Sequence, residues 1–354
     1  MDQQYTRRLE NIETVLEYWL PKNLETALAD NWAARVFPGL TDTVDTALLQ
    51  AIIAPCKDLL SRGGKRWRPL LMTLVCEALG GGDAALPLTP LVEFCHNASL
   101  IHDDIEDNSD ERRGKPAVHI IHGVDAAVNS GSFLYFLPLA CIDSYAEEHR
   151  AMVYSLWAGY LRKLHLGQAM DIHWHRHCDI IPSLDAYYTM CKLKTGCLAR
   201  FAAELGAAVA GMANDSDTTK RLGEAAEKLG VGFQILDDVK NLTTGIPGKK
   251  RGDDLVEGKK SLPVLLFLHR WPEKKEMVFN CFNAARAGGV GVPEVEALIQ
   301  TLQTSGVLAE AEAQGKALIA EAGGIFAGGI FNATDISLSD EGRALLSGFV
   351  GLIG

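Results

Sequence analysis

From residue 5 onward, apolar side chains recur at three- and four-residue intervals, the spacing that gathers them on one face of an α-helix. YTRRLENIETVLEYWL (residues 5–20) and TVDTALLQAIIAPCKDLLS (43–61) each carry such a stripe, and Pro55 predicts a bend or a restart in the second. RGGKRWR (62–68) reads as a basic turn loosened by glycine, with Pro69 at a first helical position, and LLMTLVCEALGG then closes on its glycines. Beyond Pro87 and Pro90 comes a helix carrying HNASLIHDDIED. The helical period returns over 124–145, 150–177, 183–212, 215–242 and 262–270, and in the tail over 293–322 and 340–352, broken by AGGIFAGGIFNATD. GIPGKKRGDDLVEGKK (245–260) holds four glycines and many charges, which predicts a mobile surface loop. The period-two alternation of strands is scarce. The pattern predicts one large all-α domain over 1–354: an N-terminal helical extension (1–42), a core (43–270) and C-terminal helices (271–354).

Composition narrows the function classes. The chain is 47% hydrophobic and 22% charged, ordinary globular values. Its net charge of −11 argues against nucleic acid, which needs a basic footprint. The eight cysteines form no CxxC pair, as expected of reduced thiols in a cytosol-like compartment. The N-terminus lacks the apolar core of a secretory signal, and no uninterrupted apolar run reaches the roughly 18 residues of a membrane span. A soluble cytoplasmic protein is expected.

The candidate chemistry lies in two acidic clusters. Asp103, Asp104, Glu106 and Asp107 crowd HNASLIHDDIEDNSDERRG, and on a helix Asp103 and Asp107 share a face. Like charges so placed cost a few tenths of a kcal/mol, about 0.2–0.5, unless a cation lies between them. Carboxylates with water and substrate phosphates make a magnesium site, and a solvated acidic helix end is the plainer alternative. A second cluster, GVGFQILDDVKNL, sets Asp237 and Asp238 in an apolar helix, with Gln234 one turn earlier and Asn241 where a third carboxylate would stand. Cations accompany both: Lys65, Arg66 and Arg68 in the glycine turn, Arg112 and Arg113 after the first cluster, Lys194 with Thr195 in KTGCL, and Lys249, Lys250, Arg251, Lys259 and Lys260 in the basic loop. Two acidic helices facing each other across a bundle, with these cations, would cage a pyrophosphate group. No Walker-type glycine loop is present, which disfavours nucleoside triphosphate chemistry. In DIHWHRHC only His173 and His177 share a helix face, so His173, His175 and His177 read as surface residues rather than a metal module. Gln168 and Asp171 on the same helix are expected at the cavity. Glu106 and Asp110 read as surface charge.

GGKRWRP, HNASLIHDDIEDNSDERRGKPAVH, GQAMDIHW, KTGCL, GFQILDDVKNL and DLVEGKKSLP occur in the order seen in the trans-polyprenyl diphosphate synthases, and the resemblance spans about residues 43–270. HNASL, the DDxxN form of the second motif and VNSGSFLYFL resemble the geranylgeranyl diphosphate synthases of animals and fungi. The resemblance implies an all-α bundle around a central cavity, commonly a homodimer, that condenses isopentenyl diphosphate head-to-tail with an allylic diphosphate. By motif, Asp103, Asp107 and Asp237, with Asp104 and Asp238 beside them, would hold about three magnesium ions once substrate is bound. Lys65, Arg68, His96 and Arg113 would hold isopentenyl diphosphate. Arg112, Lys194, Thr195, Gln234, Lys249 and Lys259 would hold the allylic diphosphate. Small Ala98 and Ser99 leave room for the growing chain, and Tyr135, Phe136 and His165 would form the floor, giving a twenty-carbon product. Farnesyl or longer-chain synthesis is the main alternative. A class I terpene cyclase fits less well, because NDSDTTKRL has Leu222 where its metal motif needs an acid. A catalytically quiet partner subunit would be expected to have broken motifs, and both are present.

Overall fold

Each apolar stripe folds as a helix, and side-chain caps fix where several of them begin. The computed structural model describes residues 3–40, 44–245, 250–328 and 338–353. The first half contains α1 (Gln3–Trp19), α2 (Leu24–Ala29), α3 (Trp32–Val36), α4 (Thr46–Ser61), α5 (Trp67–Ala78), α6 (Thr89–Glu106), α7 (Val118–His122), α8 (Val124–Phe136), α9 (Leu139–Asp143) and α10 (Glu147–Arg176). There follow α11 (Leu184–Cys191), α12 (Cys197–Val209), α13 (Asp217–Leu242), α14 (Asp253–Glu257), α15 (Leu262–Arg270), α16 (Lys275–Gly288), α17 (Pro293–Thr304), α18 (Val307–Ala327) and α19 (Asp340–Ile353). Asp45, Ser183 and Ser216 cap α4, α11 and α13 by accepting from the backbone N–H groups of Ala47, Ala186 and Thr219. Among the described residues the only strands are β1 (Glu111–Arg112) and β2 (Lys115–Pro116), an antiparallel hairpin. Its central residues, Arg113 and Gly114, have φ of 54° and 73°, the left-handed pair that a tight two-residue hairpin uses.

Several boundaries differ from the sequence reading. Pro55 lies inside a continuous α4, so the chain neither ends nor restarts there. The stretch 124–145 divides at Pro138, and 293–322 divides at Gly306, whose φ of 82° ends the run. The expected loop 245–260 contains α14, and α16 falls within the expected C-terminal helices 271–354 but outside the two periodic stretches there. Residues 246–249 and 329–337, the latter in the glycine-rich tail, lie outside the described residues.

α10, 30 residues and therefore about 45 Å long, runs beside α12 and the segment Lys192–Gly196. α6 packs on α8, α5 on α12, and α13 on α12 and α18. The larger apolar cluster includes Leu71, Phe94, Ile101, Phe201 and Leu229, and the smaller one, beneath α13–α18, includes Ile235, Leu265, Phe282 and Leu302. The N-terminal residues are built into the first cluster: Ile12 and Leu16 are buried, and the indole N–H of buried Trp32 donates to the Trp19 carbonyl at 3.0 Å. The eight cysteines are free thiols, seven of them buried. Val124–Asp143 is the one described stretch apolar and long enough to cross a membrane, but 56% of it is buried against the rest of the fold.

Candidate active site

A cavity of about 470 Å³ opens where α6, α10, the Lys192–Gly196 segment, α13 and residues 254–261 converge. Lys192–Gly196 is a π-helical turn, a local widening common at functional sites. It fits because two glycines let backbones meet. A Cβ on Gly167 would stand 2.3 Å from the Lys194 backbone nitrogen, and one on Gly230 would stand 2.9 Å from the Gly196 Cα. The π turn therefore seats against both α10 and α13, and it carries Lys194 and Thr195 to the cavity wall.

Two acidic helices supply the carboxylates. On α6 the phase of the helix brings Ser99, His102, Asp103 and Glu106 to the cavity. Asp103 is the hub: Lys194 Nζ donates to its Oδ1 at 3.0 Å, Gln168 Nε2 donates to the same oxygen at 3.0 Å, and Arg112 Nη2 donates to Oδ2 at 3.3 Å. Lys194 also donates to Asp171 at 2.6 Å. Burial alone would lower the Lys194 pKa, but Asp103 and Asp171 outweigh it and raise the pKa, so the ammonium stays charged. Burial likewise opposes ionisation of Asp171, and Lys194 then Lys259 reverse this to hold its pKa below the usual carboxylate range.

Across the cavity, α13 presents Asp237 and Asp238. Thr195 donates to Gln234 Oε1 at 2.8 Å, and Gln234 Nε2 donates to Asp238 Oδ1 at 2.9 Å. Buried Asp238 also accepts from the Tyr187 hydroxyl at 2.7 Å and the Leu262 N–H at 3.2 Å, yet burial still pushes its pKa up. Asp254 from α14 lines the same wall, and its N–H donates to the side-chain oxygen of Asn241 at 3.3 Å. Asn241 therefore sits away from the cavity wall and fastens the following loop.

The remaining cations divide between the cavity and the scaffold. Arg68 and His96 line the cavity, their side chains 3.4 Å apart, and burial lowers both pKa values, that of Arg68 to about 10. Arg113 lines it too, held by the Leu59 carbonyl at 3.1 Å and by the Gly63 carbonyl. Lys259 lines it while donating to Asp107 Oδ2 at 2.7 Å. Arg66, by contrast, is buried between Glu13 and Glu93, a structural ion pair. Arg251 pairs with Glu296 at the surface. Lys249 lies outside the described residues.

Five expected site residues are placed differently. Asp104 is fully buried and accepts from Arg112 at 2.8 and 2.5 Å, because the helix turns it about 100° from Asp103. Ala98 is turned into the core by the same phase, so Ser99 alone of that pair faces the cavity. Phe136 is 61% exposed and leans on Trp157, one position past Tyr135, which does line the cavity. Lys65 is not at the cavity wall, and its Nζ donates to the Ile353 carbonyl at the end of α19 at 2.8 Å. Asp107 caps α6 with its side chain 1% exposed, closed off in this conformation by Lys259.

The structure also adds residues. Glu106, read as surface charge, lines the cavity and accepts from Gln168 at 2.7 Å. His102 stacks on Tyr135 with ring centroids 5.6 Å apart, and Tyr135 meets His165 at 5.2 Å, so three rings close the deep end with Leu164 and Leu198. Gly131 makes this possible, since a Cβ there would stand 2.7 Å from the His102 ring. His175 is buried rather than on the surface, with Nδ1 3.9 Å from Asp107 Oδ1. Gln168 and Asp171 line the cavity as their helix position predicts.

Carboxylates from two helices, several cations and a layer of aromatic rings thus meet around one cavity in a helical bundle. The chain belongs to the polyprenyl synthetase family, whose model matches residues 49–299. It is 36% identical over 232 residues to the geranylgeranyl pyrophosphate synthase janG of Penicillium janthinellum, a match covering 65% of this chain and 61% of that one. It is 36% identical over 225 residues to the short chain isoprenyl diphosphate synthase of Methanocaldococcus jannaschii, covering 62% and 67%. The match to the first of these spans less than two thirds of that relative's length. The fold matches the crystal structure of a polyprenyl synthase from Caulobacter crescentus complexed with calcium and isoprenyl diphosphate, with TM-score 0.71, 26% identity and coverage of 92% and 94%.

Proposed function

We propose that the protein is a trans-prenyltransferase that joins isopentenyl diphosphate to an allylic diphosphate, with geranylgeranyl diphosphate as its product. The observation that carries this reading is the pairing of Asp103 with Asp237 and Asp238 around one cavity whose far end is apolar and aromatic. The family match and the named relatives support it.

The donor set suits magnesium. It consists of hard carboxylate oxygens, with Asp103, Asp237 and Asp238 brought to the wall of one cavity from two helices. Asp103, Asp107 and Asp237 would hold the ions, with Asp238 fixing the helix face beside them. When bound, magnesium neutralises the charge that gathers on a departing diphosphate. The protein's own cations add to this neutralisation, since Lys194, Arg112 and Lys259 are already aimed at the carboxylates that would hold the magnesium. Thr195 and Gln234 orient oxygens on that side, and Arg68, His96 and Arg113 hold the second diphosphate where the isopentenyl double bond faces C1 of the allylic substrate. The C1–O bond breaks and both its electrons leave with diphosphate. The double bond then supplies the pair for the new C–C bond, and a proton is lost from the adjacent carbon to the departing diphosphate. The cavity keeps water from the cation.

The ring layer of His102, Tyr135 and His165 is the proposed stop for the growing chain, with Ser99 leaving the upper cavity open. Ile120, Ile121, Val124, Val128 and Phe136 are all at least 43% exposed and lie on α7 and α8, and this apolar face supports a homodimer. Eight free thiols and the burial of Val124–Asp143 support a soluble protein of the cytoplasm. Chromatography of dephosphorylated products after incubation with dimethylallyl, geranyl or farnesyl diphosphate and isopentenyl diphosphate tests the reading. A twenty-carbon alcohol is expected. A chiefly fifteen-carbon or much longer product would overturn the chain-length part, and no elongation would overturn the whole.

A further inference from the structure

α10 brings Gln168 and then Asp171 to the cavity wall, and one turn further on it sets His175 behind that wall, beside Asp107. The first two have partners. His175 has an unmet one. Its Nδ1 is buried with no hydrogen-bond partner among the described residues, and 3.9 Å away stands Asp107 Oδ1, buried and equally unmatched. The two side chains are 7% and 1% exposed, so no bulk water serves either atom. A buried donor or acceptor left unmet costs about 1–3 kcal/mol, and these two lie about 0.7 Å beyond hydrogen-bonding range of each other. The other oxygen of Asp107 is taken by Lys259 at 2.7 Å, which also contacts Glu257 at 2.5 Å.

The backbone of His175 is fixed from two sides. Arg286 donates to its carbonyl at 3.0 Å, and Gly258 packs close enough that a Cβ there would stand 3.3 Å from the same oxygen. Gly258 immediately precedes Lys259, so any movement of Lys259 takes place against the His175 turn.

We propose that His175 is a positioning residue for Asp107, its Nδ1–H taking hold of Oδ1 when Lys259 leaves the carboxylate for the substrate diphosphate. Asp107 is then kept turned toward the metal by a ring N–H fixed on α10 in place of the Lys259 ammonium. Lys259 and His175 thus act in succession on the two oxygens of one carboxylate. The inference rests on the reading of Asp107 as a metal ligand and Lys259 as a diphosphate cation.

The test is Mg2+ binding by calorimetry to the full chain in the presence of inorganic pyrophosphate, comparing wild type with His175→Asn, His175→Gln, His175→Phe and Asp107→Ala. Asparagine places its amide N–H near the position of Nδ1, whereas glutamine reaches the position of Nε2 and phenylalanine keeps only the ring. Outer partners of metal ligands typically change affinity by about 10-fold or more, so His175→Phe and His175→Gln should bind Mg2+ about 10-fold more weakly, and His175→Asn should recover to within about threefold of wild type. A purely structural role would not separate Asn from Gln. If all three His175 variants bind as wild type does while Asp107→Ala loses affinity, the inference is overturned. It is equally overturned if Asn is as weak as Gln. If Asp107→Ala itself binds like wild type, the metal reading of Asp107 fails first.

Discussion

Adjacent acids on α6 should fail in opposite ways. Asp104 is fully buried and its carboxylate holds Arg112 at 2.5 Å. Asp104→Ala leaves that guanidinium, 17% exposed, without its main counter-charge, a loss worth about 3–5 kcal/mol for a buried pair. With about 2.1 cal/mol/K of unfolding entropy per residue over 354 residues, or roughly 0.7 kcal/mol/K, that lowers the melting temperature by about 4–7 °C. Asp103→Ala removes a carboxylate whose cations keep other partners: Lys194 retains Asp171 and Arg112 retains Asp104. Its melting temperature should move by no more than about 2 °C, since neither cation is left without a counter-charge. Turnover should divide the other way. Asp103→Ala should lose at least about 100-fold, while folded Asp104→Ala, acting only through Arg112, should lose about 10-fold. Calorimetric melting and product formation measured on the same preparations decide it. Equal melting temperatures with equally lost turnover would refute the division of labour along the helix.

Other consequences can be checked separately. Gly167→Ala should cost about 1–3 kcal/mol and displace Lys194, lowering both the melting temperature and turnover. Tyr135→Ala removes the middle ring of the His102–Tyr135–His165 layer and should shift the product past twenty carbons, read by chromatography of the dephosphorylated alcohols. Burial lowers the Lys260 pKa to about 8, below its ordinary 10.5, so the penalty of folding with charged Lys260 is full below pH 8 and is lost progressively between about pH 8 and 10.5. Lys260→Met loses the hydrogen bonds to the Trp174 and Gly258 carbonyls at every pH, so the test is the trend: its melting temperature relative to wild type should fall as pH rises from about 7 to about 9.5, and a relative melting temperature that rises with pH would contradict the sign.

The helices and both acidic clusters could be read from the sequence because period and spacing are local properties. Asp103 and Asp237 were identifiable as carboxylates with repelling neighbours, and the cations lay beside them in sequence. What could not be read was rotational phase. Asp104, Ala98 and Phe136 each sit one residue, about 100° of turn, from a cavity-facing neighbour, and only packing decides which of two adjacent residues faces in. Long-range partners were also hidden: nothing near Lys65 foretells the carbonyl of Ile353, and nothing in DIHWHRHC foretells Asp107 behind His175. The π turn at Lys192–Gly196 leaves no periodic trace, although Gly167 and Gly230, spaced far from it in sequence, are the residues that admit it.

The most direct test of the two-helix metal cage is elongation of farnesyl diphosphate by isopentenyl diphosphate with magnesium, in wild type, Asp103→Ala and Asp237→Ala proteins of matched helical circular dichroism. Wild type should form the twenty-carbon product and each variant should fall by at least about 100-fold. Wild-type rates in either variant, or no elongation by the native chain, would contradict it.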